Sequence, residues 1–166
     1  TWADTEYGTS FFTHYEELIK KLPEDKNLVI KLHPLLEKYH PAEVYRALGL
    51  AEDFPHVRVL LDSPPIYPLL ESVDIYLGDH SAIGYDFLYF NKPMFFFESP
   101  GNALQMCGRK IKTVEEFYCR LDDPQEDLQI ARKKLYEAVF TNCNLQLLQA
   151  HHHLGCYSSP SCKKTC

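Results

Sequence analysis

The sequence predicts an α/β fold: a doubly wound parallel sheet followed by a helical C-terminal segment. Three observations predict it. Short apolar runs alternate with amphipathic stretches at close intervals. The runs Asn27–Leu32, Val57–Leu61 and Met94–Phe97 are continuous rather than strictly alternating, as expected of strands covered on both faces. The stretch Ser72–Phe97 reads as strand, tight turn, helix and strand.

Taken in order, Thr1–Thr9 reads as a polar loop. Ser10 is placed to cap a helix over Phe11–Lys21, with Phe11, Tyr15, Leu18 and Ile19 on one face and lysines near its end. Leu22-Pro23 stops that helix. Asn27–Leu32 is a strand that His33-Pro34 ends. Pro41–Leu48 is a short helix with proline at its first position. Val57–Leu61 is the next strand, and Pro64-Pro65 leads into a helix near Tyr67–Ser72. A third strand, Ile75–Leu77, ends at Gly78, and helical spacing runs from Ala82 to Asn91 before the strand Met94–Phe97. Beyond Phe97 the β signal fades. Thr113–Leu121 and Pro124–Phe140 read as helices, the second with Leu128, Ala131, Leu135 and Ala138 at helical spacing. From residue 150 onward apolar periodicity is lost, which predicts a domain over 1–149 and a flexible Cys/His-rich tail over 150–166.

Composition narrows the class. The chain has 166 residues, 45% hydrophobic and 13% aromatic, enough for one globular domain with its own core. A net charge of −6 leaves no basic excess for a phosphate backbone and argues against nucleic acid as a partner. No apolar run approaches the ~20 residues that span a bilayer. Thr1-Trp2 reads as the tail of something already under way, so a fragment of a longer protein is expected. Of the six cysteines, Cys107, Cys119 and Cys143 read as small apolar residues or free thiols. Cys156, Cys162 and Cys166 follow His151-His152-His153 without paired C-x-x-C spacing, which favours a loose tail over a zinc site. The aromatic cluster around Tyr85–Phe97 is expected to be packing between helix and sheet.

The turn Gly78-Asp79-His80-Ser81-Ala82 is the leading candidate site. In an open α/β sheet, ligands bind beyond the carboxyl ends of strands. A helix start there offers free N–H groups that suit a phosphate. Ser81 sits where an N-cap would be, and Asp86 lies on the same helix. His33 closes an earlier strand, at a position where imidazole can act as acid, base or phosphate ligand.

These pieces form an ordered set: KLHP at 31–34, DSPPIYPLLESVD at 62–74, and LGDHSAIGYDFLYFNKPMFFF at 77–97. The set resembles the CDP-glycerol glycerophosphotransferase family, whose best-known members are the teichoic acid polymerases. In that family a histidine closes a strand, a D-x-x-x-L-L-x-x-A-D stretch precedes a T-D-Y-S-S-x-x-F-D turn, and a Lys-Pro-led apolar strand follows. His33, then Asp62, Leu69, Leu70 and Asp74, then Gly78 to Asp86, then Lys92-Pro93 through Phe97 are the matching residues. Thr1-Trp2 is similar to the end of the family's A-P-T-W segment. Four positions depart from the pattern: Ala3 stands for arginine, Gly78 for threonine, His80 for tyrosine and Ala82 for the second serine.

The resemblance implies a GT-B fold, two Rossmann-like halves facing across a cleft, with this chain as the C-terminal, donor-binding half. It implies transfer of a glycerol-phosphate or glycosyl group from a CDP- or UDP-activated donor to a polyol-phosphate or glycan acceptor. His33 is the implied catalytic residue, and Gly78, Asp79, His80, Ser81, Ala82 and Asp86 the implied donor site. The family's other catalytic histidine belongs to an H-G-T-P motif of the N-terminal half, which these residues lack, so a partner domain is implied. No metal or cofactor is called for, and an intracellular enzyme, peripheral at the inner face of the membrane, is implied. A second reading is a non-catalytic module that binds a nucleotide or phosphorylated ligand. A third is another GT-B sugar-nucleotide enzyme.

Overall fold

The computed structural model describes residues 10–61, 65–79, 81–98 and 103–141. The chain is α/β and Rossmann-like, with every strand among the described residues pairing parallel. Helix α1 (Phe11–Lys20) buries Phe11, Tyr15, Leu18 and Ile19, one stripe at helical spacing. Strand β1 (Leu28–Lys31) pairs with β2 (Val57–Leu60), Leu28 opposite Val57 and Lys31 opposite Leu60. Between them lie α2 (Pro34–Tyr39) and α3 (Pro41–Glu52). Helix α4 (Ile66–Ser72) leads to β3 (Tyr76–Gly78), α5 (Ala82–Phe87) and β4 (Met94–Phe97). Strand β5 (Arg109–Ile111), α6 (Val114–Cys119) and α7 (Gln129–Tyr136) complete the described chain. The strand order is β1-β2 in one sheet and β3-β4-β5 in the other.

β4 shows why its sequence is unbroken phenylalanine and methionine: all four residues are buried. Met94 and Phe96 pack with Phe87, Leu88 and Leu104 on one face. Phe95 and Phe97 pack with Leu18, Ile111, Val114 and Phe117 on the other. The β1-β2 sheet differs. Ile30 and Val57 join the core under α1 and α3, while Val29 is 37% exposed and Arg58 faces water. The expectation of two covered faces therefore fails for β1 and β2, whose inward residues alternate with outward ones in the manner of a half-covered sheet.

Helix α1 lies across both sheets. Its Phe11, Tyr15 and Ile19 pack on Ile30 and Leu32, and its Leu18 packs with Phe95 and Phe97. The His14 ring stacks on Phe97 at 4.0 Å and 5°. The Ser10 N–H donates to Asp79 Oδ2 at 3.0 Å, which ties the start of α1 to the carboxyl end of β3. Phe12 meets His40, beyond the carboxyl end of β1, with ring centroids 4.8 Å apart. α1 thus crosses the carboxyl end of the β3-β4-β5 sheet, from Asp79 after β3, past Phe97 at the end of β4, to Glu115 after β5.

Several boundaries correct the sequence-based expectation. Ser10 takes helical dihedrals and makes no side-chain cap bond. The helix expected over Pro41–Leu48 runs on to Glu52, and a further helix, α2, precedes it, because Pro34 starts α2 where its missing N–H costs nothing. β5 was hidden by two cations in a three-residue strand; Arg109 is drawn off by Asp123 at 2.9 Å and by Asp127 at 2.8 Å. The helix expected over Pro124–Phe140 is a 3-10 turn at Glu126–Leu128, then α7, then a π turn over Glu137–Thr141. Cys143 and the tail over 150–166 lie outside the described residues.

Arg132 of α7 organises this C-terminal part from a fully buried position. It donates to Asn91 Oδ1 at 3.0 Å, to the Cys107 carbonyl at 3.1 Å and to the Gln125 carbonyl at 3.0 Å. Asn91 and Gln125 both hold left-handed backbone, φ 52° and 50°. The Gln125 amide in turn accepts from Met94 N at 3.1 Å and donates to Met94 O at 3.0 Å, standing in for a strand neighbour at the start of β4.

Candidate functional site

His33 follows β1 directly and caps α2. Its backbone is extended (φ −76°, ψ 137°), as the following proline requires, and its Nδ1 accepts from Leu35 N at 3.1 Å. An Nδ1 that accepts carries no proton, so the neutral ring is protonated on Nε2. Burial and then the nearby Lys31 ammonium push the imidazole below its ordinary range, so the neutral form dominates at pH 7. Lys31 Nζ donates to the Leu32 carbonyl at 2.7 Å, which keeps a cation at this end of β1. Lys31 was not among the sequence-predicted site residues; its position two residues before the histidine was the available signal.

The Gly78–Ala82 turn follows the carboxyl end of β3. Ser81 has the extended backbone of an N-cap (φ −135°, ψ 140°), yet its side chain makes no cap bond. Its hydroxyl is instead hydrogen-bonded with the phenol of Tyr76, which burial holds protonated well above the ordinary tyrosine range. That phenol lies over Gly78: a Cβ built there would stand 2.2 Å from the Tyr76 oxygen. Gly78 and Tyr76 are therefore matched, which gives the glycine at the family's threonine position a steric cause. Asp79 accepts from Ser10 N, so one of its oxygens serves the fold. Ala82 opens α5 and supplies a backbone N–H but no hydroxyl. His80 lies outside the described residues.

Asp86 has a different setting. Its Oδ1 accepts from the Tyr67 hydroxyl of α4 at 3.0 Å. Together with Tyr89, Tyr136 and Phe140 these two residues line a cavity of about 200 Å³. The structure thus sets His33 and Lys31 at the carboxyl end of β1, sets Gly78, Asp79, Ser81 and Ala82 at that of β3, and gives Asp86 an aromatic pocket of its own. Of its four rings, Tyr89 belongs to the aromatic cluster expected to pack between helix and sheet and is instead 64% exposed, whereas Tyr67, Tyr136 and Phe140 are not singled out by the sequence, because their spacing over separate helical stretches has no sequence signature.

Among the described residues, no group of three or more His, Cys, Asp or Glu side chains is placed to hold a metal ion. Among them also, no helix is long and apolar enough to cross a membrane.

Comparison with curated proteins and with solved structures finds no match. Comparison with protein families finds one that matches residues 1–101, more than half of the chain, and covers His33 and the whole Gly78–Ala82 turn. With a histidine after one parallel strand and a serine turn after another, and with this match over most of its length, the chain belongs to the CDP-glycerol:poly(glycerophosphate) glycerophosphotransferase family.

Proposed function

We propose that this chain is the donor-binding half of a GT-B transferase that moves glycerol phosphate from CDP-activated glycerol to a polyol-phosphate acceptor. The observation that supports the reading is that His33 directly follows the carboxyl end of β1 and the Ser81 turn that of β3, in sheets whose strands pair parallel. This is where such sheets bind ligands.

In this reading the donor diphosphate lies between His33 and the turn. The acceptor hydroxyl oxygen forms a bond to the glycerol-bearing phosphorus. The phosphoanhydride bond breaks, and CMP leaves with the bridging oxygen. His33, neutral and protonated on Nε2, donates to a phosphate oxygen where negative charge builds on the leaving group. It is not the general base in this form, since accepting a proton at Nε2 would need the tautomer that breaks the bond to Leu35. Lys31 adds positive charge at the same end. Ser81 and the N–H groups of Ala82 and Ile83 hold the remaining phosphate oxygens. The proton of the acceptor hydroxyl is taken by a group of the facing N-terminal half, in keeping with the family's second histidine.

A second reading, a nucleotide-binding module without turnover, draws on Ala82 and on the Tyr76 phenol that engages the Ser81 hydroxyl. Product analysis separates the readings. With radiolabelled CDP-glycerol and a polyol-phosphate acceptor, the transferase reading predicts CMP and a lengthened acceptor, both lost in His33→Asn. Release of CDP or UDP would mean glycosyl transfer instead. Nucleotide binding without product, with the N-terminal half present, would favour the module.

A further inference from the structure

We propose that the cavity walled by Tyr67, Asp86, Tyr89, Tyr136 and Phe140 is an aromatic cage that binds a quaternary ammonium group. The cavity holds about 200 Å³, several times the ~30 Å³ that a water molecule occupies in the liquid. Four rings and one carboxylate line it from α4, α5, the 3-10 turn Leu88–Phe90, the end of α7 and the π turn after it. Such a set has one chemical preference. The faces of aromatic rings are negative, and a cation above them is attracted.

The rings meet at an angle to one another. Tyr89 and Tyr136 are tilted at 56° with centroids 5.8 Å apart, and Tyr136 and Phe140 at 35° with centroids 4.8 Å apart. Tyr67 and Tyr89 are 53% and 64% exposed, so the cavity opens to water. The core beneath is already filled by Phe87 and Leu88, so these two tyrosines do little for packing.

Asp86 decides the sign and nature of the ligand. An anion would be repelled by it. A neutral apolar ligand would bury the carboxylate against nothing but the Tyr67 hydroxyl. A methylated ammonium pairs with the carboxylate and rests its methyl groups on the rings. It is also weakly hydrated and sheds water more readily than a primary amine. The cage does not depend on the transferase reading, because it is tested by binding alone.

The probe is choline, titrated into the folded chain and followed by calorimetry and by NMR of the tyrosine rings. Saturable millimolar binding is expected. The uncharged isostere dimethylbutanol is expected to bind at least about tenfold more weakly. Asp86→Asn and Tyr89→Leu are each expected to weaken choline about five- to tenfold. Tyr67→Phe, which keeps the ring and releases the carboxylate, is expected to retain binding. Tyr89 is exposed enough for its replacement to leave the fold intact, which the far-ultraviolet circular dichroism of each variant checks. Absence of saturable choline binding, or equal binding of dimethylbutanol, would overturn the proposal. Choline binding by a chain that binds no cytidine nucleotide would leave the cage standing while the donor-site reading falls.

Discussion

Tyr76 and Gly78 occupy one space at the end of β3. The tyrosine ring leans along the strand, and a Cβ on Gly78 would meet its hydroxyl oxygen at 2.2 Å and its ring carbons at 2.4 and 2.5 Å. Residues two apart share a face of a strand, so neither can change alone. The same phenol reaches the Ser81 side chain, so this pair also fixes the candidate site.

Gly78→Ala is therefore expected to destabilise the fold by about 1–3 kcal/mol, the cost of forcing a methyl group into filled space. Tyr76→Val removes the obstruction. In the double variant the cost of the alanine should largely vanish, although the lost tyrosine packing remains. Urea midpoints of the two single variants and the double variant measure this coupling. Purely additive costs would contradict it.

His33 has two separable jobs. Asparagine keeps an acceptor for Leu35 N and should preserve α2, whereas alanine should cost about 1 kcal/mol through the lost cap. Both should abolish donor binding if the imidazole itself touches the diphosphate. Loss of binding in His33→Ala with full retention in His33→Asn would reduce the residue to a cap.

The pH dependence of stability has a definite sign. The His33 imidazole lies below its ordinary value, so the folded state disfavours its protonation. Its contribution is complete above the ordinary histidine value of about 6.5 and is lost as pH falls through the lower folded value. Asp123 and Asp127 are also held below their ordinary values, each chiefly by a side-chain bond from Arg109. Their contribution is complete above about pH 4 and is lost only in stronger acid. Denaturant midpoints measured against pH should fall in two stages, and His33→Asn should remove the first alone.

Arg132 should be among the least replaceable residues of the C-terminal part. Arg132→Met leaves the Asn91 side chain, the Gln125 amide and two buried carbonyls without their shared donor. A loss of roughly 3–5 kcal/mol is expected, by analogy with the breaking of buried polar networks. Arg132→Lys should recover little of it, since an ammonium cannot reproduce the planar fork. Urea unfolding of the two variants checks both statements.

Much of this was legible in the sequence, and the residues say why. β4 stood out because a strand covered on both faces has no polar position, so Met94–Phe97 reads as one apolar run. The turn after β3 stood out because glycine, aspartate and serine there mark a strand-to-helix junction. Arg132 did not stand out: it sits between Ala131 and two lysines and reads as part of a solvated charge run. Its burial depends on Asn91 and Gln125, which are distant in sequence and give no local pattern. β5 was missed because Arg109 answers to Asp123 and Asp127 rather than to a strand period. The Tyr76 phenol, which takes the Ser81 hydroxyl from its expected cap, could be seen only once the strand was built.

The central claim is that a cytidine-linked donor binds where β1 and β3 end. Calorimetric titration of the chain with CDP, CDP-glycerol and UDP, repeated on His33→Asn and Ser81→Ala, tests it most directly. The account predicts binding of the cytidine ligands, weaker binding of UDP, and at least about tenfold loss in His33→Asn with a smaller loss in Ser81→Ala. Cytidine binding of unchanged strength in both variants would place the donor elsewhere and contradict the account.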